Sequence, residues 1–82
     1  MQIKVYTTTT CPYCKMLKEF LGKNNQKYEE VLVDQDHEGL EEMMGISDGH
    51  MGVPFSVVTK DDGTVVKIVG FDEAKFREAL VL

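Results

Sequence analysis

Cys11 and Cys14 are the only cysteines of the chain, and Pro12 and Tyr13 stand between them. A bridge between them closes a very small loop. Loop-closure entropy grows with loop length, so such a bridge stabilises a fold little. Secreted mini-domains held by disulfides carry more cysteines, spaced further apart. The same spacing forms half of many zinc sites, but zinc needs two further ligands. The two histidines, His37 and His50, lack the H-x₃₋₅-H spacing of a finger, and His37 reads as a surface polar residue. The chemistry these residues suit is thiol–disulfide exchange: one thiolate attacks a disulfide, and the second thiol resolves the mixed disulfide.

The flanking elements support that chemistry. Gln2 to Tyr6 alternates and reads as a strand, Thr7 to Thr10 as a loop, and Pro12 suits the first position of a helix. Tyr13, Met16, Leu17, Phe20 and Leu21 recur at helical spacing, with Gly22 as a stop. Cys11 thus falls at a helix start, where unpaired N–H groups and the helix dipole favour an anion. Cysteines so placed have pKa values of about 3.5–7.5, against about 8.5 for a free thiol. Cys11 is therefore expected to be the solvent-facing nucleophile, with Cys14, one turn inward, as the resolving thiol.

Further along, Tyr28 to Val33 reads as a second strand, and Leu40, Met43 and Met44 as a short helix ended by Gly45. Ser47 to Gly52 is a loop leading into Val53-Pro54. Phe55 to Thr59 and Thr64 to Val69 are strands joined through Asp62-Gly63, a hairpin signal. Gly70 ends the last strand, and Asp72 caps a helix that buries Phe76, Ala79 and Leu80. The expected fold is α/β, in the order β-α-β-α-β-β-α. It has a parallel first βαβ unit, an antiparallel hairpin, and a mixed four-stranded sheet with helices on both faces.

Residues 1–82 form one domain, which buries roughly 60% of the surface of the unfolded chain and so favours a shallow site. The net charge of −5 disfavours nucleic acid and anionic membranes as partners, and the acids from Asp34 to Glu42 read as a solvated helix face. No apolar run approaches the roughly 20 residues of a membrane span. The N-terminus has no apolar core of a signal peptide, so a cytoplasmic location is expected.

On these residues the chain resembles the glutaredoxin family of the thioredoxin fold. Cys11-Pro12-Tyr13-Cys14 matches the dithiol glutaredoxin motif letter for letter, and Val53-Pro54 is similar to the family's Thr-Val-Pro, where the proline is cis. Gly70-Phe71-Asp72 sits where the family has Gly-Gly-x-Asp-Asp, and the likeness runs over essentially the whole chain. Thioredoxin is a poorer match: this chain has no Trp and only ten residues before Cys11. The resemblance implies a glutaredoxin-type disulfide reductase that acts on protein or glutathione mixed disulfides. It implies a binding surface of Thr10, Pro12, Tyr13, His50, Val53, Pro54, Gly70, Phe71, Asp72 and Glu73. In it the backbone of Val53 pairs with the substrate cysteine, and the helix start at Gly70–Asp72 takes the γ-glutamyl carboxylate.

The departures bear on the reductant. A lysine usual in glutathione-using members is Thr8 here, an arginine before Thr-Val-Pro aligns with His50, and the threonine itself is Gly52. The first glycine of Gly-Gly is Val69, and the second aspartate is Glu73. With Cys11-Pro12-Tyr13-Cys14 and Asp72 kept, glutathione is the expected co-substrate, with no tightly bound cofactor and no metal. Gly70-Phe71 is also similar to the Ser-Gly-Phe of redoxins that thioredoxin reductase regenerates and that donate electrons to ribonucleotide reductase. A third implication, an iron–sulfur cluster shared by two protomers, is disfavoured by Pro12 and Tyr13. The expected partners are glutathione or thioredoxin reductase and disulfide-containing proteins, met by a monomer.

Overall fold

A computed structural model describes residues 1–50 and 52–82 of the chain. Strand β1, Gln2–Thr7, sends Ile3 and Val5 to one face of the sheet and Tyr6 to the other, as the twofold repeat of a strand requires. Helix α1, Pro12–Lys23, begins with Cys11 as N-cap and Pro12 in its first turn, and buries Cys14, Leu17, Phe20 and Leu21 along one stripe. Strand β2, Glu29–Leu32, is followed by helix α2, His37–Ile46, whose N-cap Asp36 accepts the Gly39 amide. Strands β3, Phe55–Thr59, and β4, Val65–Val69, form a hairpin, and helix α3, Glu73–Leu80, is capped by Asp72. In the hairpin turn Gly63 takes φ +89°, a left-handed conformation in which a glycine is unstrained.

The four strands lie in the order β2-β1-β3-β4. β1 pairs with β2 in parallel, Lys4 opposite Glu29 and Thr7 opposite Leu32; the β1–β3 and β3–β4 pairs are antiparallel. Ile3, Val5, Val58 and Ile68 pack against Leu17, Phe20 and Leu21 of α1 and Phe76, Ala79 and Leu80 of α3. On the opposite face Tyr6 and Phe55 pack against Met43, with Leu40 and Ile46 of α2 beside them. Helices therefore cover both faces, and the element order is the expected one. α2 does not reach across β4, an edge strand, where Val65 and Val69 are 52% and 54% exposed on either side of an exposed Lys67.

Several boundaries differ from the sequence reading. Neither Gly22 nor Gly45 stops its helix: α1 ends at Lys23 with Asn24 as C-cap, and α2 ends at Ile46 with Ser47 as C-cap. A β-carbon on either glycine would meet nothing within 4 Å, so both sit on open helix surface, where glycine costs only about 1 kcal/mol against alanine. Thr7 belongs to β1 rather than to the loop, while Tyr28, Val33 and Thr64 lie outside their strands. Met44 is 37% exposed and Met16 49% exposed, so neither is a core residue. The loop read at 47–52 includes Met51, which lies outside the described residues. The acids from Asp34 to Glu42 do not form one solvated helix face. Asp34 precedes α2 and binds Thr9, and the Glu42 carboxylate accepts both Lys4 Nζ and the Tyr6 hydroxyl at 2.5 Å.

Candidate active site

The C-terminal end of β1 delivers the chain into the turn at residues 8–10, and α1 starts at once. Cys11 has the extended backbone of an N-cap, φ −84° and ψ 114°, and its Sγ accepts the Cys14 amide at 3.1 Å. A sulfur thus fills the position that a serine or aspartate oxygen fills in other caps. Helix N–H groups and the dipole act on it together, which stabilises a thiolate. The two sulfurs are bonded in this structure, with Cα atoms 5.2 Å apart. Cys14 is 1% exposed, whereas Cys11 keeps a partly exposed surface. Only the first sulfur is open to an incoming disulfide.

Val53 and Pro54 come to this sulfur from the other side of the sheet. The Val53–Pro54 peptide is cis, and the Val53 carbonyl oxygen lies 3.9 Å from Cys11 Sγ. Pro54 is fully buried, and its carbonyl accepts the Gly70 amide at 2.8 Å. Gly70 has φ +75° and turns the chain from β4 towards α3. Phe71 packs on Phe20 and Phe76, with ring centroids 5.7 and 6.2 Å away. Cys11, Cys14, Val53, Pro54 and Gly70 are therefore joined by direct contacts.

The remaining expected binding residues are placed less tightly. Pro12 and Tyr13 lie on the exposed first turn of α1, Tyr13 at 61% exposure, and Thr10 is exposed just before it. His50 is exposed; its carbonyl accepts the Ser47 hydroxyl, and its ring tip lies where a β-carbon on Gly52 would fall. Asp72 accepts the Lys75 amide at 3.2 Å, so its carboxylate caps α3. The Glu73 carboxylate is engaged by Arg77 at 3.2 Å, along the helix rather than towards Cys11. A cavity of about 470 Å³, lined by Met1, Lys4, Lys27 and Tyr28, lies at the opposite end of the sheet. Among the described residues no cluster of three or more His, Cys, Asp and Glu could hold a metal ion.

Two groups that brace the site do not follow from the motif alone. The Glu30 carboxylate accepts the hydroxyl of the buried Thr7 at 2.7 Å and pairs with Lys18 at 2.9 Å, tying β1, β2 and α1 together. Burial pushes the Glu30 carboxyl up, but the Lys18 and Thr7 hydrogen bonds outweigh it and hold its pKa below 4.5. Asp34 accepts the Thr9 hydroxyl at 2.6 Å and the Thr9 amide at 3.1 Å.

A family model described as Glutaredoxin matches residues 3–61. A glutaredoxin-like 8.6 kDa protein encoded in a rubredoxin operon of Clostridium pasteurianum is 42% identical over 73 residues, 89% of each chain. Mycoredoxin 1 of Corynebacterium glutamicum is 39% identical over 62 residues, 76% of this chain and 73% of the relative. The crystal structure of a thioredoxin-like protein superposes with a TM-score of 0.78 at 36% identity, covering 95% of this chain and 99% of that one. The architecture shared with that structure is the thioredoxin fold.

Proposed function

The chain belongs to the glutaredoxin family, and from that premise we propose that it reduces protein or glutathione mixed disulfides through Cys11 and Cys14. The carrying observation is the cap. Cys11 Sγ receives the Cys14 amide at 3.1 Å while facing solvent, and Cys14 is 1% exposed beneath it. In the reduced protein the Cys11 thiolate attacks one sulfur of the substrate disulfide. That bond breaks, and the departing thiolate takes up a proton. Cys14 then gives up its proton and attacks Cys11 Sγ, releasing the second substrate thiol. The substrate has gained two electrons, and the Cys11–Cys14 disulfide holds the oxidised state. Two glutathione thiols restore the dithiol by the same exchange in reverse and leave as glutathione disulfide.

Glutathione is favoured as reductant by the start of α3, whose first N–H groups suit a carboxylate and which the Gly70 amide ties to the Val53–Pro54 segment by donating to the Pro54 carbonyl. The rival reading is a redoxin regenerated by thioredoxin reductase, with ribonucleotide reductase as electron acceptor. It is favoured by Thr8, His50 and Gly52, which leave the glycyl carboxylate of glutathione without a fixed cation.

The test has two arms. Cys11→Ser should abolish reduction of a mixed disulfide, while Cys14→Ser should accumulate the mixed disulfide on Cys11. Full activity in Cys11→Ser would refute the assignment. Turnover of the wild-type chain with glutathione and glutathione reductase is then compared with turnover driven by thioredoxin reductase. Faster turnover in the second system would displace glutathione as the reductant.

A further inference from the structure

The turn that carries the chain from β1 to the nucleophile is weakly held by its own backbone. Within it the Cys11 amide reaches the Thr8 carbonyl at a long 3.5 Å, and Thr9 and Thr10 are exposed. Among the described residues, the hydrogen bonds from Thr8, Thr9 and Thr10 to other parts of the chain both run from Thr9 to Asp34, at 2.6 and 3.1 Å. Asp34, in contrast, sits in a turn pinned on both sides. The Val33 amide donates to the Thr7 carbonyl at 2.8 Å, and the Gln35 and Asp36 amides donate to the Leu32 carbonyl at 3.0 and 2.8 Å. The carboxylate is therefore offered from a rigid support to a turn that lacks one.

We propose that Asp34 is a positioning residue for Cys11: by taking the amide and the hydroxyl of Thr9 it sets the turn that places the nucleophile at the start of α1. The inference rests on Cys11 being the nucleophile. An N-cap works only when its side chain and backbone meet the first-turn amides in register, so a loosened turn takes Cys11 Sγ away from the Cys14 amide and its thiolate loses that partner. The Thr9 hydroxyl and amide also hold the Asp34 carboxyl below its ordinary value, as expected if the clamp is closed at neutral pH. The negative charge of Asp34 alone would act the other way, since an anion near Cys11 disfavours a second one. Clamp and charge thus predict opposite signs.

The experiment measures the rate at which iodoacetamide alkylates Cys11 as a function of pH, in a reduced Cys14→Ser background so that one thiol reports. Asp34→Ala is expected to slow alkylation at neutral pH several-fold and to raise the apparent thiol pKa. Thr9→Val, which keeps the amide bond and loses the hydroxyl bond, should move both in the same direction by less. Asp34→Asn keeps an acceptor without the charge and should stay near the parent rate. Equal rates in all variants would overturn the proposal. So would faster alkylation in both Asp34 variants, which would mark a charge effect, or a lowered unfolding midpoint in Asp34→Ala with an unmoved thiol pKa. The redox reading itself is judged separately on the parent chain: a Cys11 no faster than a free cysteine at neutral pH would sink that reading, whatever the Asp34 variants do.

Discussion

The Gly70 amide donates to the Pro54 carbonyl at 2.8 Å, so the turn that opens α3 and the segment facing Cys11 form one connected piece. Gly70 holds φ +75°, where a β-carbon would touch nothing within 4 Å but the backbone itself resists one. Gly70→Ala should cost about 1–2 kcal/mol from the left-handed conformation alone. For a domain of this size each kcal/mol lowers the thermal midpoint by about 4–8 °C. Because the strain is shared with Pro54, KM for a glutathione mixed disulfide should rise as well. Differential scanning calorimetry and steady-state kinetics on the same sample check both; an unchanged midpoint would contradict the strain argument.

Cys14 is 1% exposed and Cys11 is partly open, and alkylation requires access as well as a thiolate. Limiting iodoacetamide on the reduced chain should therefore label Cys11 first, read by peptide mass spectrometry. Equal labelling of Cys14 would show that the reduced site opens more than this arrangement allows.

Glu30 contributes stability with a defined sign. Its folded pKa lies below the unfolded 4.5 because Lys18 and Thr7 hydrogen bonds outweigh burial. The stabilisation is thus present above pH 4.5 and lost as the pH falls through the lower folded value. Glu30→Gln keeps an acceptor for Thr7 and removes the charge facing Lys18. At neutral pH it should cost under about 1 kcal/mol, the range of an ion pair that water still reaches. Urea titrations of both proteins should show the difference shrinking towards strongly acidic pH. A difference that persists there would assign the effect to packing.

On the family resemblance His50 stands where an arginine is usual, and its ring tip lies over Gly52. His50→Arg supplies a permanent cation beside the Val53–Pro54 segment. If glutathione is the reductant, its glycyl carboxylate gains a partner, and KM for the glutathione mixed disulfide should fall roughly two- to fivefold, the scale of an exposed charge contact. A coupled glutathione reductase assay reads the change. No change in KM would place that carboxylate elsewhere.

The order of elements and the place of both cysteines were legible in the sequence because local rules and packing agree there. Pro12 opens a helix whose apolar residues fall on one stripe, and Asp72 caps the last one. Gly22 and Gly45 misled because a glycine on an open helix surface breaks nothing; the true stops, Asn24 and Ser47, are caps of weaker sequence signature. Glu73 pairs along α3 with Arg77, one turn away, a pairing that the family motif does not encode. The braces at Asp34 and Glu30 were not legible, because they join residues 23 to 25 positions apart, which only the parallel register of β1 and β2 brings together.

Strand β4 has a border that another chain could extend, since among the described residues its outer N–H and C=O groups face no neighbouring strand and Val65 and Val69 offer apolar footing. Lys67 stands midway between them. A second copy laid antiparallel about this centre would bring two ammonium groups face to face, and like charges directly opposite each other destabilise such a pairing. One lysine thus opposes edge-to-edge growth, while the β-branched residues on either side suit an extended strand.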